Sequence, residues 1–393
     1  MFSSRTARYA LFALVYFAEG AILSYFTALN SLYLLSFNLS MSQVGLIGTI
    51  ALIPFVLKIF LGMLSDRVNL LGCGYRKPYI VIGLLVQFAC LVMVPSVHPG
   101  QQFGIFALLA FVLMSGQALY DTCTDGLALD TTTKEEEGTV QGIMVGGRAL
   151  GVVLISALLG WVVQNLSWNG AFYLLAGMTL LPLPLVLRVQ EPLRPAGVRF
   201  EWRAFRTFMR WPIIALGLLG ALYSLVINAA NEIVNPFLQA TFQIDYIAAG
   251  LFTTVWGIGV ALGGLSGGWL VDRIGQRRAL LGAVAAALIT VQALGYAPSL
   301  TLAGVLVCIF GIAFGYYETV YFAVSMDVTD PRIAASMFAI LMAVANVGTG
   351  IGLGLSGALV DAAGYQWTFG IMAGLSLLAL PLVPAVFQKR RSK

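Results

Sequence analysis

Three carboxylates interrupt an apolar run at Tyr120–Asp130, YDTCTDGLALD, and a second run of the same kind, YETVYFAVSMD, follows at Tyr317–Asp327. Ionisable side chains inside apolar helices are costly, so they mark places where a solute or a proton is handled. Asp121 and Asp125 are four residues apart and share one helix face. Asp130 lies about 13 Å further along the same helix, at its polar end. A carboxylate near mid-membrane must pair with a cation or hold a proton. Of the 22 Lys and Arg residues, only Lys58 and Arg148 fall inside apolar stretches, in the same half as Asp121, Asp125 and Glu19. Lys58 either binds an anionic solute or neutralises Asp121. Arg148, within VGGRALG, has the same two options, and its planar fork suits carboxylate or phosphate. With Asn30, Asn228, Asn231, Tyr120 and Tyr317 as polar lining, Lys58, Asp121, Asp125 and Arg148 form the candidate solute-binding set. Glu232 and Glu318 lie deep in a half without any intramembrane Lys or Arg. Together with Glu19 they are the candidate proton-coupling acids. For Glu232 and Glu318 the competing reading is a permanently neutral side chain satisfied by Asn228, Asn231 or Tyr317.

The elements that carry these residues repeat. An offset of 197 residues relates Asp121 to Glu318 and Asp130 to Asp327, and it holds through Gly151/Gly348, Gly160/Gly357, Gly177/Gly374 and Pro184/Pro381. The chain is therefore read as two related halves. Its 393 residues are 59% hydrophobic and 10% charged, against about 25% charged in soluble domains, and the mean hydropathy is +0.90. Too few ionic groups remain to solvate a globular surface, so the expected fold is an all-α polytopic membrane protein. The apolar runs are too long for barrel strands. Twelve spans are expected near Tyr9–Leu35, Gln43–Leu64, Tyr79–Val97, Phe103–Asp130, Thr139–Gln164 and Ala171–Leu187, then Trp211–Leu238, Tyr246–Val271, Ala279–Ala297, Leu302–Asp327, Arg332–Val360 and Trp367–Phe387. The spacings Gly142/Gly146, Gly147/Gly151 and Gly350/Gly354 predict close packing of spans five and eleven.

Charge sets the orientation. Every other Lys and Arg sits in alternate loops, in the linker after span six, or in the two terminal segments. Both termini are therefore expected to be cytoplasmic, in a multi-pass protein of the cell inner membrane. The halves are residues 1–188 and 210–393, joined by a cytoplasmic linker, 189–209, whose stretch Phe200–Met209 is amphipathic and expected to lie on the membrane surface.

Span two ends in GMLSDR, Gly62–Arg67, with Arg76 and Lys77 beyond an insertion; span eight ends in Gly268–Arg278, GWLVDRIGQRR. This repeated G-x-x-x-D-R-x-G-R-[KR] pattern resembles the major facilitator superfamily over essentially the whole chain. The resemblance implies two pseudo-symmetric six-helix bundles and a gate of acids and bases at the cytoplasmic helix ends, here Asp66, Arg67, Asp130, Asp272, Arg273 and Asp327. The intramembrane Lys58, the inserted loop Val68–Tyr75 and the Asp121-x-x-x-Asp125 pair further resemble the AmpG-type permeases and the related acetyl-CoA transporters. That likeness implies proton-coupled import, by symport, of an anionic or amphipathic solute of the anhydromuropeptide kind. Other branches of the superfamily imply a sugar or drug permease, or an assembly factor for a pigment–protein complex that moves no solute. The drug-antiporter signature in span five needs a proline that Gly146–Gly151 lacks.

No catalytic constellation, cofactor pattern or metal-ligand spacing accompanies these motifs, so an enzyme is not expected. Cys73, Cys90, Cys123 and Cys308 have no paired spacing, and His98 reads as a solvated loop residue. The net charge of +5 follows from the loop bias and is no sign of nucleic acid. The expected partners are a small-molecule solute, protons and the lipid bilayer, with a monomer sufficient for function.

Overall fold

The computed structural model describes residues 5–72, 74–132, 136–191, 210–328 and 334–387; side chains are described there except at 59, 66, 67, 71, 137, 138, 141, 326–328 and 334–339. The expected amphipathic stretch at 200–209 and the side chains of Asp66, Arg67 and Asp327 lie outside that set. Among the described residues the chain is helical without strands, and eleven helices are long and apolar enough to cross a membrane. The last of them, Ile340–Val386, turns at Gly364, whose φ of 82° takes it out of the helix and separates the expected spans eleven and twelve.

Two spans are broken in ways the hydrophobic pattern did not show. Span one runs as Arg5–Ala28 and Asn30–Leu35 around Leu29. Span two runs as Met41–Val56 and Lys58–Arg67 around Leu57. Pro54 lies inside the first segment of span two, where it removes one helical amide donor and crowds the preceding turn. Lys58 thus opens a new helix just beyond the break.

The contacts group into two compact units. One comprises Met1–Leu39, Ile50–Ala196 and Ile244–Thr254; the other Ser40–Thr49, Gly197–Gln243 and Val255–Lys393. In the first unit, spans one and five (Glu137–Asn165) touch backbone to backbone. A Cβ at Gly20 would lie 2.1 Å from the Arg148 carbonyl oxygen, and one at Gly151 would lie 2.4 Å from that of Phe17. This close approach puts Glu19 and Arg148 on adjoining turns. Span three (Lys77–Met93) meets span four (Phe103–Thr131) in the same way at Gly83 and Gly116. Beside that contact the buried Gln87 donates to Gln117 at 2.9 Å and accepts from Thr179 at 3.3 Å. These side chains tie spans three, four and six together inside the core.

One helix crossing is built twice, once within each unit. In the second unit the start of span two packs on span eleven: Gly45 approaches the Leu353 carbonyl, Gly357 approaches that of Met41, and Thr49 Oγ1 donates to the Gly350 carbonyl at 2.7 Å. In the first unit the start of span eight (Tyr246–Ile274) packs on span five. There Gly250 approaches the Ser156 carbonyl, Gly160 approaches that of Tyr246, and Thr254 Oγ1 donates to the Val153 carbonyl at 2.8 Å. The partners correspond one to one, at an offset of 205 for Gly45, Thr49 and their copies and of 197 for the opposing helix. At the end of each crossing a side chain accepts from the first amides of the incoming helix. Asp361 takes Met41 N–H at 3.0 Å and Ser42 N–H at 2.7 Å, and its copy Gln164 takes Tyr246 N–H at 3.3 Å. Among the described residues Gly142 and Gly146 meet nothing within 4 Å, whereas Gly147 and Gly151 face span one.

Candidate functional site

Five ionisable side chains converge inside the first unit. Lys58 Nζ donates to Asp121 Oδ2 at 2.5 Å and to Asp125 Oδ2 at 3.2 Å. Arg148 Nη2 lies 2.8 Å from Glu19 Oε1 and 3.9 Å from Asp121 Oδ1. Asp121 stands between the two cations. Tyr16 completes the group, its hydroxyl donating to Asp125 Oδ1 and its ring lying 5.0 Å below the Arg148 guanidinium. Span one supplies Tyr16 and Glu19, three residues apart on one face; span two supplies Lys58, span four Asp121 and Asp125, and span five Arg148.

Exposure divides the members. Asp121 and Glu19 are sealed, with 2% and 7% of their side chains accessible, while Lys58, Arg148 and Asp125 keep 30%, 40% and 41%. Glu19 Oε2, Asp121 Oδ1 and Arg148 Nε accept or donate no hydrogen bond among the described residues. Three carboxylates face two bases, an excess of one. Lys58 and Arg148, expected either to bind solute or to neutralise acids, are both engaged by acids here and both keep an accessible side.

The remaining expected site residues fall elsewhere. Tyr120 is wholly buried in the core of Leu11, Ile80, Leu84 and Leu127, and Asn30 is buried beside Tyr25 and Phe172. In the second unit Tyr317 is buried and stacked on Tyr223, ring centroids 4.1 Å apart. Asn228 donates to Ser224 and to Thr349 Oγ1, at 2.9 and 3.2 Å. Asn231, Glu232 and Glu318 are half-buried, and both glutamates engage neighbouring groups. The second unit has no counterpart of the cation pair: at the 206-residue offset that relates Gly62 to Gly268 the copy of Lys58 is Gly264, and at 197 that of Arg148 is Ala345.

At the helix ends that carry the basic loops, the expected gate residue Asp130 pairs with Arg76 at 3.2 Å. Arg76 is itself buried, also donates to Ser65 at 2.6 Å, and lies where a Cβ on Gly126 would go. Asp272 and Arg273 are exposed, with the Arg273 guanidinium 4.3 Å over the Trp269 ring. Three acids were not singled out from sequence, two at these helix ends and one, Asp361, at the opposite end. Glu191 accepts from the amides of Tyr75, Arg76 and Lys77 at the start of span three. Glu136 pairs with Arg5 and Arg8. Asp361 caps span two, as described above. Tyr16 was also missed, although its spacing from Glu19 was available as a signal.

The Major Facilitator Superfamily profile matches residues 11–230 and 216–393. The anhydromuropeptide permease of Escherichia coli (strain K12) is 25% identical over 395 residues, covering 96% of this chain and 79% of its own. The sialic acid transporter NanX of the same strain is 21% identical, over 69% of this chain and 66% of its own. Among solved structures, the nucleoside transporter NupG (D323A mutant) superposes with a TM-score of 0.81 at 16% identity, covering 97% of this chain and all of that one. The D-xylose-proton symporter superposes at 0.73 and 18% identity, covering 97% and 98%. The duplicated helices, the repeated GxxxDR turns and these matches together establish that the chain belongs to the Major Facilitator Superfamily, as a multi-pass membrane transporter of small solutes rather than an enzyme.

Proposed function

We propose that this transporter imports an anionic or amphipathic solute together with protons, by alternating access between its two six-helix halves. The anhydromuropeptide class is the first candidate, because the relative aligned over 96% of the chain carries that name. The carrying observation is the cluster of Lys58, Arg148, Glu19, Asp121 and Asp125, in which both cations keep an accessible face. A guanidinium and an ammonium held in a membrane core are suited to a carboxylate or phosphate on a guest. Residues 1–188 and 210–393 are the moving halves, in a cell inner membrane with both termini in the cytoplasm.

The test is uptake of a radiolabelled anhydromuropeptide into proteoliposomes under an imposed pH gradient, inside alkaline. Accumulation that an uncoupler collapses supports the reading. Equal uptake with and without the gradient removes proton coupling. No uptake, with a pigment–protein complex co-purifying from the native membrane, replaces transport by an assembly role.

A further inference from the structure

The excess carboxylate in the first-unit cluster has a definite place in the geometry. Among the described residues the charged or titratable groups facing Asp125 are Tyr16 from span one, Lys58 from span two and Asp121 on its own helix, with Glu19 and Arg148 beyond Tyr16. Asp121 has the shorter contact to Lys58 and a second cation at 3.9 Å, and Glu19 has Arg148 at 2.8 Å. Asp125 has only the longer share of Lys58, at 3.2 Å, and a like charge one turn away. It is also the most accessible of the three acids. A weak cation and a near like charge both favour taking up the proton, and the accessible side of Asp125 is the one a proton from solvent can reach.

Tyr16 suits that role. A phenol donates to a carboxylate and accepts from a carboxylic acid, so its bond to Asp125 survives in either state by rotation of one hydrogen. Lys58 is then the element that changes. With Asp125 ionised, the ammonium spans two carboxylates and the cluster carries an extra negative charge. With Asp125 neutral, the cluster balances at two acids and two bases, and Lys58 keeps Asp121 and frees its other donors.

We infer that Asp125 is the proton-accepting residue of this transporter and that its protonation releases Lys58 to receive the anionic group of the solute. The inference rests on the proposed import of an anion. It puts proton and solute at one site in the first half, in place of a proton carried by Glu232 or Glu318. Each ligand then strengthens binding of the other by the same factor, the equilibrium condition for symport. The proton moves from solvent to Asp125 Oδ, the Lys58–Asp125 ion pair breaks, and a Lys58–solute ion pair forms; no other bond changes.

Two measurements test this. In proteoliposomes, Asp125→Asn fixes the neutral state. It should lose the roughly tenfold accumulation that one unit of pH gradient supports in a one-to-one symporter, and the solute counterflow that remains should no longer vary with pH as it does in wild type. Glu318→Gln and Glu232→Gln should retain accumulation. Accumulation surviving in Asp125→Asn, or lost only in a glutamate variant, overturns the inference while leaving import intact. A failure of wild type to take up the labelled anhydromuropeptide sinks the functional reading instead. The second measurement needs no solute: infrared difference spectra on acidification should show a carboxylic-acid C=O band in wild type that Asp125→Asn removes and Tyr16→Phe shifts. A band unaltered in both variants overturns the assignment.

Discussion

An alanine at Gly357 would place its methyl carbon 2.1 Å from the Met41 carbonyl oxygen, more than 1 Å inside ordinary contact at 3.4 Å. The obstacle is backbone, so no rotamer can relieve it, and spans two and eleven must separate. Overpacking of this size costs about 1–3 kcal/mol. That penalty falls on the closed crossing alone, so any state in which the helices part becomes favoured by roughly five- to 150-fold. The copy, Gly160→Ala, meets the Tyr246 carbonyl at 2.3 Å and should act alike on spans five and eight. The assay is the reaction rate of a cysteine at position 49 with a membrane-impermeant maleimide, added from the side opposite the basic loops, in a chain whose native cysteines are serine. Gly357→Ala should raise that rate and lower the melting temperature. Gly177→Ala and its copy Gly374→Ala meet nothing within 4 Å and should change neither, apart from a gain of up to about 1 kcal/mol in helix propensity. Unchanged labelling and melting in Gly357→Ala would refute the reasoning.

Three further outcomes are expected. Arg76→Ala removes the donor to the buried Ser65 hydroxyl and leaves a cavity against Gly126 and should lower stability by about 1–3 kcal/mol in denaturant unfolding; Arg76→Lys should recover only part, because one ammonium cannot match the two-sided guanidinium contact. Glu191→Ala removes the acceptor for three amides, costs about 1–2 kcal/mol, and should speed hydrogen exchange at Tyr75–Lys77. Asp361→Ala uncaps span two and should cost about 1 kcal/mol and expose the Met41 and Ser42 amides to exchange, whereas Asp361→Asn should retain most of the protection.

Scarcity and register made much of this architecture legible. Because only Lys58 and Arg148 lie in apolar stretches, their meeting with Glu19, Asp121 and Asp125 could be anticipated without knowing any helix position. The 197-residue offset exposed the duplication, and with it Glu318 as the copy of Asp121. Sequence is poorer at reporting which side of a helix faces which neighbour. Tyr120 and Asp121 are adjacent, yet 100° of helical rotation turns one into the core of spans one, three and four and the other toward Lys58. An amide in an apolar helix needs a partner, but nothing in the sequence says which; for Gln87 and Gln117 the partner is each other. Glu191 and Asp361 were illegible for a different reason. Their work is to accept backbone amides from segments more than a hundred residues away, and an amide leaves no mark in the sequence.

The break at Leu57 makes span two compliant where its copy is stiff. Met41–Val56 is fastened through Gly45 and Thr49 to span eleven, while Lys58–Arg67 holds its ammonium on two carboxylates. The turn that Pro54 weakens and the break at Leu57 both lie between that fastening and Lys58, so a bend or twist of the fastened end reaches the second segment weakly. Span eight is continuous from Tyr246 to Ile274, so the same displacement at Thr254 would travel along it as along a lever, undiminished to the turn at Asp272. Paired crossings of equal design would thus have unequal reach: one insulated from the charges beneath it, the other geared to the far end of its helix.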